Sequence, residues 1–307
     1  MLHTTGLTEL IALTGLLLGL CQLALWLAAR GDVAARVHDA TGPLEPTAGD
    51  TPGHGAEAVL ASMLEAVRLQ DATTAYKALA AAHDLRIATL TPIPRRLDLA
   101  EVEVRLMLLE AEGERAHLAK AAVLLGEVPL APAPTGLVPR SAPSAAEHLL
   151  AGRLAQVPAE TRPERPSLMR AAAHFRCAAT MGGVGGAAYL GLCQTLCALT
   201  RIEATPSRLP EALAAGEAAV EGDAANSAAK AALAEALLLA GKLNADPEAT
   251  SRSASLLHRA IADVTASGCE PSARWWLLRA EALITLGGRA DNLADWKATQ
   301  AALADRL

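Results

Sequence analysis

Residues 211–242 read EALAAGEAAVEGDAANSAAKAALAEALLLAGK, and their pattern decides the fold. Ala and Leu, which have the best intrinsic helix propensity, fill both halves, and Asp223 to Asn226 stand between them as a turn. Slid against the rest of the chain, the stretch repeats with a period of 41, because Ala171 and Ala178 return as Ala212 and Ala219, and Ala219 returns as Ala260. Leu192, Cys193 and Leu196 return as Leu233, Ala234 and Leu237, and Pro206 returns as Pro247. A period in this range marks a supersecondary unit, here a pair of helices, that buries its apolar face only by stacking on the next copy.

Composition agrees with helices throughout. Of 307 residues 52% are hydrophobic but only 2% aromatic, so the apolar content is Ala and Leu rather than the Val, Ile, Tyr and Phe that a sandwich or barrel needs. The expected class is all-α, with a thin core spread over many helices. A formal net charge of -6 and the lack of a basic run are not the electrostatic footprint of a nucleic-acid binder. The five cysteines, Cys21, Cys177, Cys193, Cys197 and Cys269, are odd in number and lack the dense spacing of a disulfide scaffold, so they read as free thiols.

The repeat resembles the tetratricopeptide repeat (TPR) family. There a first helix carries a Leu, a small residue, a large residue and a terminal Gly, and a second helix carries small, large and small residues before a Pro-type turn. Leu233, Ala234, Leu237 and Gly241 match the first helix, and Ala212 and Ala219 match the small positions of the second. Phe175, Ala178, Leu192, Cys193 and Leu196 match the unit before, with Thr200 in place of the Gly. Trp276, Ala280, Leu283 and Gly287, followed by Trp296, match the unit after. The match covers residues 166–307 and extends to 56–127 by analogy. Each unit is about seven residues longer than the usual 34-residue form, which moves the array towards the Sel1-like repeats. The resemblance implies helical hairpins stacked into a TPR-like superhelix that binds other proteins and catalyses nothing.

Along the chain, residues 1–30 read as an N-terminal transmembrane anchor. Residues 10–29 carry no charge, lie between Glu9 and Arg30, and as a helix are long enough to cross a hydrocarbon core of ~30 Å. Trp26 sits where an interfacial indole is favoured. The segment before it has no Lys or Arg, and its exit lacks a small-x-small cleavage pattern, so an uncleaved anchor is expected over a signal peptide. Arg30 and Arg36 follow the anchor, and the positive-inside rule points the remainder to the cytoplasm. Two arginines partly offset by Asp32 leave a periplasmic placement open. Residues 31–55 form a flexible tether rich in Pro, Gly and Thr. Residues 56–127 hold N-terminal helical hairpins, with helices at 56–70, 73–85, 97–112 and 115–127, residues 128–145 a Pro/Ala-rich linker that divides the chain, and residues 146–307 the TPR-like array.

Catalytic and metal chemistry find little support. The GGVGG run at 182–186 follows a helix, whereas a dinucleotide-binding fingerprint follows a strand, so it reads as a turn. His174, Cys177, Cys193 and Cys197 have the residue types of a tetrahedral zinc site. One unit later, however, Ala234 and Leu238 stand in place of Cys193 and Cys197, which argues for core thiols. No Gly-x-Ser-x-Gly elbow or His-Glu-x-x-His motif occurs. No enzyme activity, cofactor or metal is expected.

By the resemblance, first-helix residues line a concave groove. These are Leu190, Gln194, Cys197, Ala231, Glu235, Leu238, Leu277 and Glu281, with Trp275 as the tryptophan best placed for exposure, since Trp276 and Trp296 fall on packing positions. Such a groove is small-residue and mildly acidic. The Lys and Asn residues with which relatives clamp a peptide's C-terminal carboxylate do not occupy those places, so an extended or helical apolar peptide is the expected ligand. The expected function is a membrane-anchored scaffold or adaptor, an accessory subunit of a membrane-associated complex. The other reading is a membrane-tethered holding chaperone or assembly factor for unfolded or apo clients. Partners are then proteins, and the membrane through residues 10–29, with neither nucleic acid nor a small-molecule substrate expected.

Overall fold

The computed structural model describes residues 52–88, 94–126, 128–130, 142–161, 164–287 and 297. The anchor read at 10–29, most of the tether and Trp296 lie outside the described residues. Among the described residues no helix is long and apolar enough to cross a membrane.

The described residues form eleven α-helices, one 3-10 turn and no strand. In chain order these are α1 (Pro52–Leu69), α2 (Ala72–Ala88), α3 (Arg95–Glu112), α4 (Arg115–Leu125), α5 (Ala145–Thr161) and α6 (Arg165–Met181). They continue as α7 (Gly185–Glu203), the 3-10 turn (Pro206–Arg208), α8 (Leu209–Gly222), α9 (Ser227–Leu243), α10 (Pro247–Ala266) and α11 (Ala273–Thr285). The tether expected over 31–55 therefore ends earlier, because Pro52 opens α1, a position where its missing N–H costs nothing and its fixed φ fits the helix.

Local chemistry sets the boundaries. Asn226 accepts a hydrogen bond from the Ala229 N–H and starts α9, and Asp246 accepts from the Glu248 and Ala249 N–H groups and starts α10, with Pro247 in its first turn. Ser272 does the same for α11 through the Arg274 N–H. Gly182 and Gly183, both with φ of 76°, reverse the chain between α6 and α7, so the GGVGG run is a turn.

Every helix packs on its chain neighbours, and α1, α3, α5, α7, α9 and α11 also touch one another in succession. The odd-numbered helices thus make a continuous row. Small residues allow the close approach. Phe175 of α6 is fully buried between α5 and α7, where a Cβ on Gly152 or Gly191 would lie 2.7 or 2.5 Å from its ring. A Cβ on Gly241, the terminal glycine of the repeat, would lie 2.1 Å from Thr250 Oγ1 and 2.9 Å from the Asp246 carbonyl oxygen. That glycine lets the end of α9 meet the start of α10.

The linker read at 128–145 does not divide the packing. Val102, Leu106 and Leu109 of α3 share one core cluster with Ala121 and Leu125 of α4 and with Leu150 and Ala151 of α5. Arg95 pairs with Glu147 at 2.9 Å and Arg153 with Glu110 at 2.7 Å across the same boundary. The cause is the apolar face of α5, which finds its cover on α3 and α4 as well as on α6.

Candidate functional site

Three helices of the odd row, α7, α9 and α11, line a partly open cavity of about 450 Å³ together with Gln156 of α5 and Leu168 of α6. It exists because α9 presents Ala228, Ala231 and Ala232 where α7 and α11 present larger Ile202, Trp275 and Leu278. Alanines leave the space that the longer side chains only partly fill.

Glu235 is the centre of its polar wall and is only 5% exposed. A carboxylate so buried needs partners. Both of its oxygens accept from Nη2 of Arg274, at 2.8 and 3.0 Å, and Nη1 of Arg201 lies 2.5 Å from Oε1. The arrangement ties α9 to the preceding and following odd helices. Two guanidiniums around one carboxylate leave one positive charge in excess at the cavity, and the other glutamate of the expected mildly acidic groove, Glu281, is paired with Lys242.

Of the expected groove residues, Gln194, Ala231, Glu235 and Trp275 come together at the cavity. Leu238 does not; it is 1% exposed in a core cluster with Leu257 and Leu278. Cys197 is fully buried in the Phe175 cluster. Leu190 packs partly buried against the Phe175 cluster. Leu277 is exposed, but two residues from Trp275 it faces the other side of α11, and Glu281 is engaged by Lys242 at 2.5 Å. The arginines escaped the sequence reading. Their signal was spacing, because Arg274 lies 39 residues from Glu235, close to one repeat.

Cys193 and Cys197 are both fully buried. Cys193 Sγ donates to the Ala232 carbonyl at 3.4 Å. A hydrogen bond with Cys193, followed by burial, pushes the Cys197 thiol well above its ordinary pKa and keeps it protonated, whereas nucleophiles and metal ligands are thiolates. His174 meets another histidine rather than the cysteines, its Nδ1 lying 3.1 Å from Nδ1 of His148. Burial pulls His174 down to about 4 and lowers His148 too, so the pair is neutral, one ring donating and the other accepting.

A second polar cluster closes the α3–α4 turn. Glu112, Glu114 and His117 bring their ligand atoms within 4.8 Å of one another. Tyr76 of α2 donates its hydroxyl to Glu112, and its oxygen lies 3.3 Å from His117 Nε2. These residue types can hold a divalent cation, but Glu112 is already engaged. The buried Nδ1 of His117 has no hydrogen-bond partner, whereas a metal-bound imidazole is normally oriented through that second nitrogen. The cluster fits a hydrogen-bonded clasp between α2 and the α3–α4 turn better than a metal centre.

No protein-family model, curated protein or solved structure matches the chain.

Proposed function

We propose that the protein is a membrane-anchored scaffold of the TPR type, whose row of odd-numbered helices docks a partner protein. The observation that carries this reading is the succession of contacts from α1 through α3, α5, α7 and α9 to α11. Hairpins that bury their faces only against the next hairpin pack in this way. Side-chain links support it, since Arg165 to Glu203, Cys193 to Ala232, Glu235 to Arg274 and Lys242 to Glu281 span 38, 39, 39 and 39 residues, each close to one repeat. The stack is read as a superhelix with Gln194, Ala231, Glu235 and Trp275 on its inner side.

Residues 10–29 supply the membrane attachment, and Arg30 and Arg36 favour the cytoplasmic side. The test of the anchor is alkaline carbonate extraction of cell membranes. The full chain stays in the pellet and a chain lacking residues 1–30 moves to the supernatant; release of the full chain contradicts the anchor. The partner reading is tested by affinity purification of the full chain in mild detergent with mass spectrometry. Folded proteins in fixed ratio support the scaffold, whereas a varied set of unfolded clients supports the holding-chaperone or assembly-factor reading instead.

A further inference from the structure

The cavity between α7, α9 and α11 carries chemistry that docking a protein does not require. We infer that it is a binding site for a small organic anion, a carboxylate on an apolar body, taken up from solution. The inference does not rest on the scaffold reading, and it departs from the expectation that no small molecule binds.

Size comes first. About 450 Å³ falls within the roughly 300–1,000 Å³ of small-molecule sites. The walls are mostly apolar, with Leu168, Ile202, Trp275 and Leu278 around a floor of alanine, and the charged groups converge on one side. Such a division suits a ligand with one charged end.

Charge comes second. Glu235 is more than nine-tenths buried and positions both arginines, but it neutralises only one of them. A guanidinium carries five N–H donors. Arg274 meets Glu235 through Nη2 and Arg201 through Nη1, so each retains donors directed elsewhere. An incoming carboxylate completes the charge balance as Arg–Glu–Arg plus anion, without displacing Glu235. Trp275 and Leu278 then cover its apolar body.

The test is calorimetry of the full chain in non-ionic detergent with 4-phenylbutyrate, 4-phenylbutanol and 4-phenylbutylamine, which share one apolar body and differ in charge. The carboxylate binds saturably, one per chain, and about tenfold tighter than the alcohol, as a charge-assisted hydrogen bond predicts. The amine does not bind. Arg274→Gln weakens the carboxylate by about tenfold on the same ground. Glu235→Gln frees both guanidiniums and tightens it, the opposite sign to that of a merely structural role, and circular dichroism checks that both variants fold. Equal binding of all three compounds, no saturable binding, or an Arg274→Gln variant with unchanged affinity overturns the proposal. So does a random dodecapeptide library that yields acidic peptides for this cavity while 4-phenylbutyrate fails, because the occupant is then a protein segment.

Discussion

Glu101 of α3 and Glu235 of α9 are both buried carboxylates held by two arginines, yet they stand in opposite surroundings. Glu101 is held by Arg86 of α2 and, at 2.5 Å, by Arg105 one turn along its own helix, and Arg86 also pairs with Asp98 at 2.6 Å. Arg95 joins the cluster through Asp98 and Glu147, so three positive and three negative charges cancel there, and the arginines on Glu101 are 26% and 12% exposed. Around Glu235 the arginines come from α7 and α11, are 37% and 60% exposed, and outnumber the carboxylate. The same device is thus a sealed local lock near the N-terminal end and an open bridge over the cavity between α7, α9 and α11. What distinguishes them is the burial of the arginines, since both glutamates are equally hidden.

The two regions also differ in how they fill their cores. Between α1, α2 and α3 the interior is built from Met63, Leu97, Val104 and Leu108 meeting side chain to side chain. Between α5 and α7 a single ring, Phe175, lies against two glycines. Glycine has no side chain to swing into a void, so Phe175→Ala is expected to cost about 3–5 kcal/mol in urea unfolding. A loss below about 1 kcal/mol would mean that the helices close up and that the ring is not what spaces them.

The buried glutamates sharpen the comparison directly. Glu101→Ala leaves Arg105 nearly buried beside Arg86 and is expected to cost about 3 kcal/mol, the lower end for breaking a buried pair. Glu235→Ala leaves guanidiniums that reach water and is expected to cost about 1 kcal/mol. Equal losses in chemical denaturation break the distinction between lock and bridge.

The His148–His174 pair joins α5 to α6 and gives that junction a pH dependence. The folded pKa of His174 is depressed from 6.5 to about 4, so the native state binds fewer protons than the unfolded chain between those values. Its stabilisation is full above pH 6.5 and is lost as pH falls through about 4. After allowance for partial solvation the loss is roughly 2 kcal/mol. His174→Gln flattens that part of the stability profile, and an unchanged slope shows that the pair is not the titrating element. The smallest effect belongs to Arg274→Gln. With Arg201 still in place and Arg274 60% exposed, it is expected to change stability by less than about 0.5 kcal/mol, so its effect on ligand affinity can be read without unfolding.

Much of the helical pattern was legible in the residues themselves. Ala and Leu at a period of 41 marked α6 to α10, and Gly182, Asp223 to Asn226 and Pro247 marked their ends, because propensity and turn chemistry act locally. Gly241 was legible as a motif position, and Thr250 supplies its steric reason. Helix faces were harder. Leu238 and Cys197 were placed in the groove and lie in the core, because the repeat frame alone does not fix how each helix is rotated about its axis. Arg201, Arg274 and His148 were missed because each acquires its role only when another helix arrives. Cover for α5 from both neighbouring hairpins was hidden for the same reason, since a Pro-rich stretch speaks of local chain stiffness and not of what packs beyond it.

The central claim is that the row of odd-numbered helices forms the face that docks a partner. Its most direct test compares two exposed positions, Gln194 on α7 and Ala214 on α8, in affinity purification of the full chain from membranes with quantitative mass spectrometry. Gln194→Arg places an added charge on the docking face, and Ala214→Arg places it on an even-numbered helix. The account predicts that a fixed-ratio partner is lost with Gln194→Arg and kept with Ala214→Arg, both variants remaining folded by circular dichroism. Retention of the partner by the Gln194 variant, or its loss only from the Ala214 variant, would contradict it.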